Sequence, residues 1–388
     1  GGPARSADVS AVLGVARDGS GNLYFADLGN YRVRRVLAAS GVITTYAGSG
    51  VYGFGGDGGP ATAAQFGYLG ALAIDAAGNL FIADPDNARV RRVSAVSGAI
   101  TTVVGNGVAG SSGDGGLATA ASINRPSGLA VDTAGNLYVA DSESHRIRKV
   151  SAATGVITTI AGTGVAGFSG DGGLATNARL SGPGGLAFDG SGNLYFADMF
   201  NNRVRRVAAG TGQITTVAGN GVLGYSGDGM PATEASLGPI GVALDAAGHL
   251  YLTDGRGNIF RVHATTRTLT TVAGTGVSST DPDGRSGEGG PPLDADLDSL
   301  GHLLVDPAGN IVFGEWTTVR QVTSPSAADA FPDDPAATVD SDGDGYPDAY
   351  RVGATPAQIA ASPLLVDAFP NDPTAAVDAN HDGRSDVV

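Results

Sequence analysis

The chain has 388 residues, with 38 Asp and Glu against 23 Lys and Arg, a formal net charge of −15 and no cysteine. The lack of cysteine excludes a disulfide scaffold, a thiolate zinc site and a cysteine nucleophile, and the acidic balance argues against nucleic acid as a partner. No run approaches 18 apolar residues, so no membrane-spanning segment is predicted.

An internal repeat organises residues 1–323, where a Gly-Asn-Leu-Tyr phrase or a variant of it recurs with periods of 57, 57, 57, 56 and 61 residues. The equivalent second positions of this phrase are Asn22, Asn79, Asn136, Asn193, His249 and Asn310. Each copy contains four short β-type runs separated by turns rich in Asp, Gly and Ser, as at 128–131, 137–140, 146–150 and 156–160. Six units of four antiparallel strands predict an all-β, six-bladed β-propeller.

The blade sequences resemble the NHL repeat family. The third copy reads LAVD at 129–132, LYVAD at 137–141 and HRIRKV at 145–150, which is similar to the blade pattern of that family. The Gly-rich linkers between blades, such as GFSGDGGLAT at 167–176, resemble those of secreted bacterial NHL proteins and teneurins. The resemblance implies a propeller fold and, because this family mostly supplies binding scaffolds, a function in binding.

The fourth strand of the repeat is found only five times. Its Ile-Thr-Thr or Leu-Thr-Thr motif begins at Ile43, Ile100, Ile157, Ile214 and Leu269. Since residues 1–7 align with 58–64, the printed chain starts within an inter-blade linker, and we expect the strand that closes blade six to lie upstream or to be absent. The alternative is that blade six accepts a strand from a neighbouring molecule, which would build a polymer.

An acidic residue ends the second strand of every unit, and basic residues follow in the third strand of most of them. Because the pattern repeats in blade after blade, we expect it to serve the fold, with the acid accepting turn amides and pairing with arginine. The acidic residues are Asp27, Asp84, Asp141, Asp198, Asp254 and Glu315.

The inter-blade linkers carry a second set of acidic residues, preceded in three copies by an aromatic residue. All linkers emerge on one face of the disc, so these side chains are a candidate ligand-binding rim for a sugar or a peptide. The alternative is that the acidic residues cap turns of the Gly-rich loop, with the aromatic residue tucked beneath. The candidate rim residues are Phe54, Asp57, Asp114, Phe168, Asp171, Tyr225 and Asp228.

His302 breaks the repeat, since it begins an innermost strand at a position where the other units have Gly or Ala. A histidine in the axial channel could bind a metal ion or act as a general base. The resemblance to NHL-related lyases implies several axial histidines around such a metal, whereas this sequence supplies one candidate. We find no nucleophile–base pair and therefore expect no enzymatic activity.

Residues 324–388 are predicted to form a separate acidic tail that binds calcium. The segment 325–388 has 12 Asp and two Arg, and it contains the loops DSDGDGYPD at 340–348 and DANHDGRSD at 378–386. Oxygen ligands at loop positions one, three, five and nine, a carbonyl at seven and Gly at six suit Ca²⁺. The predicted ligands are Asp340, Asp342, Asp344, Tyr346, Asp348, Asp378, Asn380, Asp382, Arg384 and Asp386.

The two loops resemble thrombospondin type 3 repeats. They lack the bidentate Glu of an EF-hand, because position twelve of the first loop is Arg351. This departure predicts an affinity of the extracellular class, on the order of 10⁻⁴ to 10⁻³ M. Calcium at that concentration is available outside cells, so the pattern favours an exported protein.

The sequence therefore predicts a secreted or bacterial cell-surface protein, in which a non-enzymatic NHL propeller binds a protein or glycan at its rim and a calcium-bound tail follows. A first alternative is a structural subunit that self-associates into an extracellular filament or matrix, through the open sixth blade or the tail. A second alternative is a metal-dependent hydrolase or lyase with its site in the propeller channel.

Overall fold

The computed structural model describes residues 1–277 and 286–323, together with the backbone of the strands at 337–339 and 349–350. The chain divides into two compact units, Gly1–Val322 and Thr323–Val388. In the first unit, six antiparallel sheets follow one another along the sequence, each built from consecutive strands. The predicted all-β, six-bladed propeller is confirmed.

Each blade starts at the propeller axis with its innermost strand, and the next three strands lie progressively further out. The innermost strands are Val12–Arg17 (β2), Leu72–Ile74 (β6), Pro126–Val131 (β10), Pro183–Phe188 (β14), Pro239–Leu244 (β18) and Leu303–Val305 (β22). The second strands are Leu23–Asp27 (β3), Leu80–Asp84 (β7), Leu137–Asp141 (β11), Leu194–Asp198 (β15), Leu250–Asp254 (β19) and Ile311–Gly314 (β23).

The outer half of each blade is formed by the third and fourth strands. The third strands are Arg32–Val36 (β4), Arg89–Val93 (β8), Arg146–Val150 (β12), Arg203–Val207 (β16), Ile259–Val262 (β20) and Val319–Val322 (β24). The fourth strands are Val42–Ala47 (β5), Ile100–Val104 (β9), Ile157–Ala161 (β13), Ile214–Ala218 (β17) and Leu269–Ala273 (β21). Blade six has three strands among the described residues.

The linker that leads into a blade also touches that blade's outermost strand. At the start of the chain, Gly2–Pro3 (β1) pairs with β5, so the first sheet has five strands. Single bridges at the same place in later blades join Pro60 to Ala99, Leu117 to Val156, Leu174 to Gln213 and Pro231 to Thr268. The expected equivalence of the first residues with the linker around Pro60 is therefore confirmed.

The blades pack face to face, and their shared faces form the core. The second strands of blades two to five are buried along their whole length, because each sheet is covered by a neighbour on both sides. Each core cluster combines side chains from adjacent blades, and one of them joins Val12, Val15 and Phe25 of blade one to Val319 of blade six. This cluster closes the ring between the first and last blades.

Glycine allows the inner strands to approach one another at the axis. A Cβ at Gly128 would lie 2.0 Å from the carbonyl oxygen of Gly184 in the next blade, and a Cβ at Gly14 would lie 2.4 Å from that of Gly70. No side chain fits in such a gap, so glycine is required by the backbone approach. Between blades six and one, the His302 N–H donates to the Leu13 carbonyl at 2.8 Å.

The turns between the second and third strands begin with a 3-10 turn in the first four blades. These turns are Leu28–Asn30, Pro85–Asn87, Ser142–Ser144 and Met199–Asn201. In the second unit, Ala337–Val339 (β25) pairs antiparallel with Ala349–Tyr350 (β26).

Candidate functional site

One face of the propeller carries both the inter-blade linkers and the turns between second and third strands. The two kinds of loop touch directly, since the Asn87 Nδ2 donates to the Gly53 carbonyl at 2.9 Å and the Asn201 Nδ2 donates to the Gly167 carbonyl at 2.8 Å. We call this face the linker face. The linkers into blades two to five are each bridged to the outer part of the blade that follows them.

The linker carboxylates fasten the linkers to the blades. Asp114 accepts hydrogen bonds from the Arg148 Nε at 3.1 Å and from its Nη2 at 2.7 Å, and the Arg148 side chain is fully buried. Asp57 accepts from the Arg91 Nη2 at 2.6 Å and from the Thr102 hydroxyl at 2.6 Å. These predicted rim residues therefore join a linker to the third and fourth strands of the next blade. Asp171 and Asp228 make corresponding contacts to Arg205 and Thr216 and to Thr271.

The rim aromatics are exposed on one face and held on the other. The Phe54 ring is 41% exposed, and the Arg89 guanidinium lies 3.8 Å from its centroid. Phe168 repeats this contact with Arg203, also at 3.8 Å. Tyr225 instead stacks on Phe260, with ring centroids 5.3 Å apart. A ring fixed in this way presents apolar surface to solvent without losing further conformational freedom on binding.

The acidic residues at the ends of the second strands are buried and serve the fold, as expected. Asp141 accepts from the Asn124 N–H at 2.6 Å and from the Arg148 Nη1 at 3.4 Å. Its partner is therefore the arginine seven positions on, whereas Arg146, five positions on, donates to the carbonyls of Ser144 and Thr163. Burial raises the pKa of Asp141 to about 6, although the hydrogen bonds and Arg148 oppose that shift.

Besides Tyr52 in the first complete linker, three exposed aromatic residues on the linker face were not singled out from the sequence. Each lies beside the start of an innermost strand, and they belong to alternate blades, two, four and six. A comparison of the six copies could have found them, because none of the equivalent positions is aromatic. We call this set the mouth aromatics; it consists of Tyr68, Phe200 and Trp316, with exposed fractions of 53%, 70% and 59%.

His302 lies at the axis, in the channel. Burial lowers its pKa to about 4, with a partly opposing hydrogen bond to the Ser127 backbone of the blade across the axis. The ring is therefore neutral near pH 7, with some accessible surface left inside the channel. Within the described residues, no group of three or more His, Asp or Glu side chains is close enough to hold a metal ion.

On the opposite face, the channel widens into a cavity of about 580 Å³ lined mainly by the innermost strands. Asp306 at its edge pairs with Arg17 of the first blade. The Asp residues in the turns between first and second strands accept hydrogen bonds from neighbouring residues. Asp132, for example, accepts from the Asn136 N–H at 2.9 Å and from the Tyr138 hydroxyl at 3.1 Å. Burial alone would raise the pKa of Asp132, but these hydrogen bonds lower it below the ordinary value.

The predicted calcium ligands lie outside the described residues, so calcium binding by the tail stays a prediction. The segments concerned are 340–348 and 378–386. No helix in the described ranges is long and apolar enough to cross a membrane.

Comparison with known proteins identifies the repeat. A family profile described as NHL repeat matches residues 124–150. NHL repeat-containing protein 2 of Bos taurus is 37% identical over 134 residues, which is 32% of this chain and 18% of that protein. Teneurin-3 of Danio rerio is 39% identical over 101 residues, which is 23% of this chain and 4% of that protein. The chain thus spans less than a fifth of the length of these relatives.

Solved structures share the fold at low sequence identity. A Bacteroides thetaiotaomicron protein of unknown function is 20% identical with a TM-score of 0.59, covering 81% of this chain and 70% of that one. A gluconolactonase from Xanthomonas campestris is 15% identical with a TM-score of 0.52, covering 81% of this chain and 87% of that one. At such identities the likeness concerns the fold alone. The chain contains an NHL repeat and folds as a six-bladed β-propeller.

Proposed function

We propose that this protein is a non-enzymatic binding scaffold whose linker face takes a protein or glycan partner. The observation that carries the proposal is the set of mouth aromatics, which are exposed without being required by the repeat. A residue that recurs in every blade serves the fold, whereas a residue that breaks the repeat is free to serve a ligand. Aromatic side chains dominate the energetics of interfaces and stack well on sugars and peptides.

The rim supports the same proposal. Phe54 and Phe168 are held by arginines against the linkers, so each offers a rigid apolar surface beside charged groups. A rigid aromatic anchor with adjacent polar groups is the composition of binding hot spots. We therefore infer that the ligand contacts the mouth aromatics first and that the rim residues border the contact.

The test uses the full chain on arrays of glycans and of extended peptides, followed by titration of the strongest hits. Replacing Phe200 and Trp316 together by Ala should weaken binding at least about 30-fold, since the truncation of a single hot-spot residue costs about 2 kcal/mol. The matched control is Val96→Ala, which changes a 97% exposed apolar residue in a turn between third and fourth strands. Unchanged affinity in the double variant, or no hit on either array, would contradict the proposal.

We also propose that the protein is secreted or held at a bacterial cell surface and that the tail binds Ca²⁺. The support is the pair of DxDxDG-type loops, whose pattern suits millimolar affinity and therefore an extracellular medium. A double variant, Asp342→Ala with Asp382→Ala, should lose the calcium-dependent compaction of the tail because it removes one ligand from each loop. Small-angle scattering with calcium and with chelator measures this, and compaction equal to that of the wild type would place the ion elsewhere.

A further inference from the structure

We propose that the channel mouth on the linker face binds a uronic acid residue of a glycan, with Arg125 holding the carboxylate of that residue. The ligand is a glycan whose uronic acid residues are separated by neutral sugars. Two of the mouth aromatics belong to this site, so the inference rests on the proposed function and names the class of its ligand.

Arg125 breaks the repeat at a position beside the channel mouth. It directly precedes the innermost strand β10, where the other five copies have Ala11, Tyr68, Gly182, Gly238 and Ser299. The side chain is exposed, and its guanidinium makes no hydrogen bond, ion pair or ring contact within the described part of the chain.

The backbone of Arg125 adopts a conformation that glycine favours. Its φ is 50°, in the left-handed region, and blade four has a glycine at the same position, Gly182 with φ of 60°. An arginine there adds backbone strain without a contact inside the protein. Strain of this kind is concentrated at functional sites, so the side chain is a candidate for binding a ligand.

Aromatic residues flank Arg125 on both neighbouring blades. Tyr68 occupies the equivalent position of blade two. On blade four the Phe200 ring covers the equivalent glycine, because a Cβ at Gly182 would lie 2.5 Å from two carbons of that ring. The mouth therefore presents an arginine between two exposed aromatic side chains.

Two carboxylates belong to the same surface and differ in what they can bind. Asp86 of blade two is occupied, because it accepts hydrogen bonds from the Tyr68 N–H at 3.2 Å and from the Tyr52 hydroxyl at 3.3 Å. Glu143 of blade three lies beside the loop of Arg125, since the Glu143 N–H donates to the Asn124 carbonyl at 3.3 Å. The Glu143 side chain is exposed and forms no ion pair among the described residues, so it can accept hydrogen bonds from a ligand.

A uronic acid offers a partner to each of these groups. Its carboxylate suits the guanidinium of Arg125, which can donate two parallel hydrogen bonds to it. Its hydroxyl groups can donate to Glu143, and the apolar face of its ring can pack on Tyr68 or Phe200. An acidic peptide fits less well, because its neighbouring carboxylates would be repelled by Glu143.

The test titrates the full 388-residue chain with tetrasaccharides that carry one terminal glucuronic, galacturonic or mannuronic acid, and with the same compounds after reduction of the carboxyl group. Calorimetry at about 0.15 M salt measures the affinities. We expect at least one acidic compound to bind about tenfold more tightly than its reduced counterpart, the size of one hydrogen bond between charged groups.

Arg125→Gln should remove that difference, because it weakens the acidic compound about tenfold and leaves the affinity of the reduced compound unchanged. The matched control is Arg267→Gln, which changes another exposed arginine with positive φ, 60°, in the turn between β20 and β21. This control should bind both compounds as the wild type does.

Four results would overturn the inference. They are the absence of saturable binding by every acidic compound, equal binding of each acidic compound and its reduced counterpart, an equal loss of both in Arg125→Gln, and tighter binding of an aspartate-rich peptide than of any acidic compound. The third result would assign Arg125 to the fold, and the fourth would assign the mouth to acidic peptides.

The Phe200→Ala, Trp316→Ala variant separates this inference from the proposed function. If a neutral glycan or a peptide binds and loses affinity in that variant while no uronic acid compound binds, the proposed function holds and the inference fails. If no compound of any class binds to the wild type, both fail.

Discussion

Replacing a buried arginine of the third strand by Met should destabilise the propeller strongly, and Arg148 offers the clearest case. Its guanidinium donates to Asp114 through two nitrogens, to Asp141 at 3.4 Å and to the Ser112 carbonyl at 3.2 Å. The variant Arg148→Met leaves Asp141 fully buried without its cation. Removing one partner of a buried pair costs about 3–5 kcal/mol.

The matched variant Arg320→Met changes the equivalent residue of blade six. Arg320 makes two hydrogen bonds, to Glu315 and to the Ser286 carbonyl, and it keeps partial access to water. Water can replace those contacts, so we expect a loss of about 1–2 kcal/mol. The free energy of unfolding of both variants is measured by urea denaturation with circular dichroism. Equal losses, or a loss below about 1 kcal/mol for Arg148→Met, would refute the conclusion that the buried arginine stabilises the blade by joining Asp114 of the linker to buried Asp141.

Two further perturbations follow from the geometry. Gly128→Ala should lower the melting temperature by several degrees, because its Cβ would collide with the Gly184 carbonyl. The control Gly190→Ala places its Cβ in open space and should change the melting temperature little. Similar melting temperatures for the two variants would contradict the close approach of the inner strands. Burial raises the pKa of Asp84 and Asp141 to about 6, above the ordinary value of 3.8. The folded state therefore binds more protons than the unfolded state between pH 4 and 6. These two groups make the free energy of unfolding fall as pH rises through that window. Asp141→Asn should flatten that dependence in thermal melts, and an unchanged slope would show that Asp141 is ionised throughout.

The fold could be predicted from the sequence because the sequence pattern of one blade recurs six times. Periodic turn residues and short β-type runs located the strands. The three-stranded form of blade six within the described residues corresponds to a missing Ile-Thr-Thr motif in the sequence. The pairing of the buried acidic residues with arginine was also predicted, but which arginine pairs with each of them was not. Asp141 binds Arg148 because a two-residue offset brings that side chain from the third strand back toward the second, and periodicity alone does not report such offsets.

The residues of the candidate site were predicted less well, because a repeat pattern marks the residues that recur. The recurring linker carboxylates accept hydrogen bonds from arginines and threonines of the next blade and therefore serve the fold. The mouth aromatics occur once each, so no period marks them, and their exposure becomes evident only when the turns are folded beside the innermost strands. In a repeat protein, the positions that differ between copies carry more information about the ligand than those that agree.

The contact between blades one and six has a consequence for how this protein could be rearranged. His302 and Leu13 meet through a backbone hydrogen bond although they lie in the last and the first blade, and apolar side chains of the two blades form one cluster. Contacts between distant parts of the sequence therefore hold this junction. Circular permutation at any of the other linkers should give a chain that closes into the same ring, so a fused domain or a label can be attached at a chosen position around the disc.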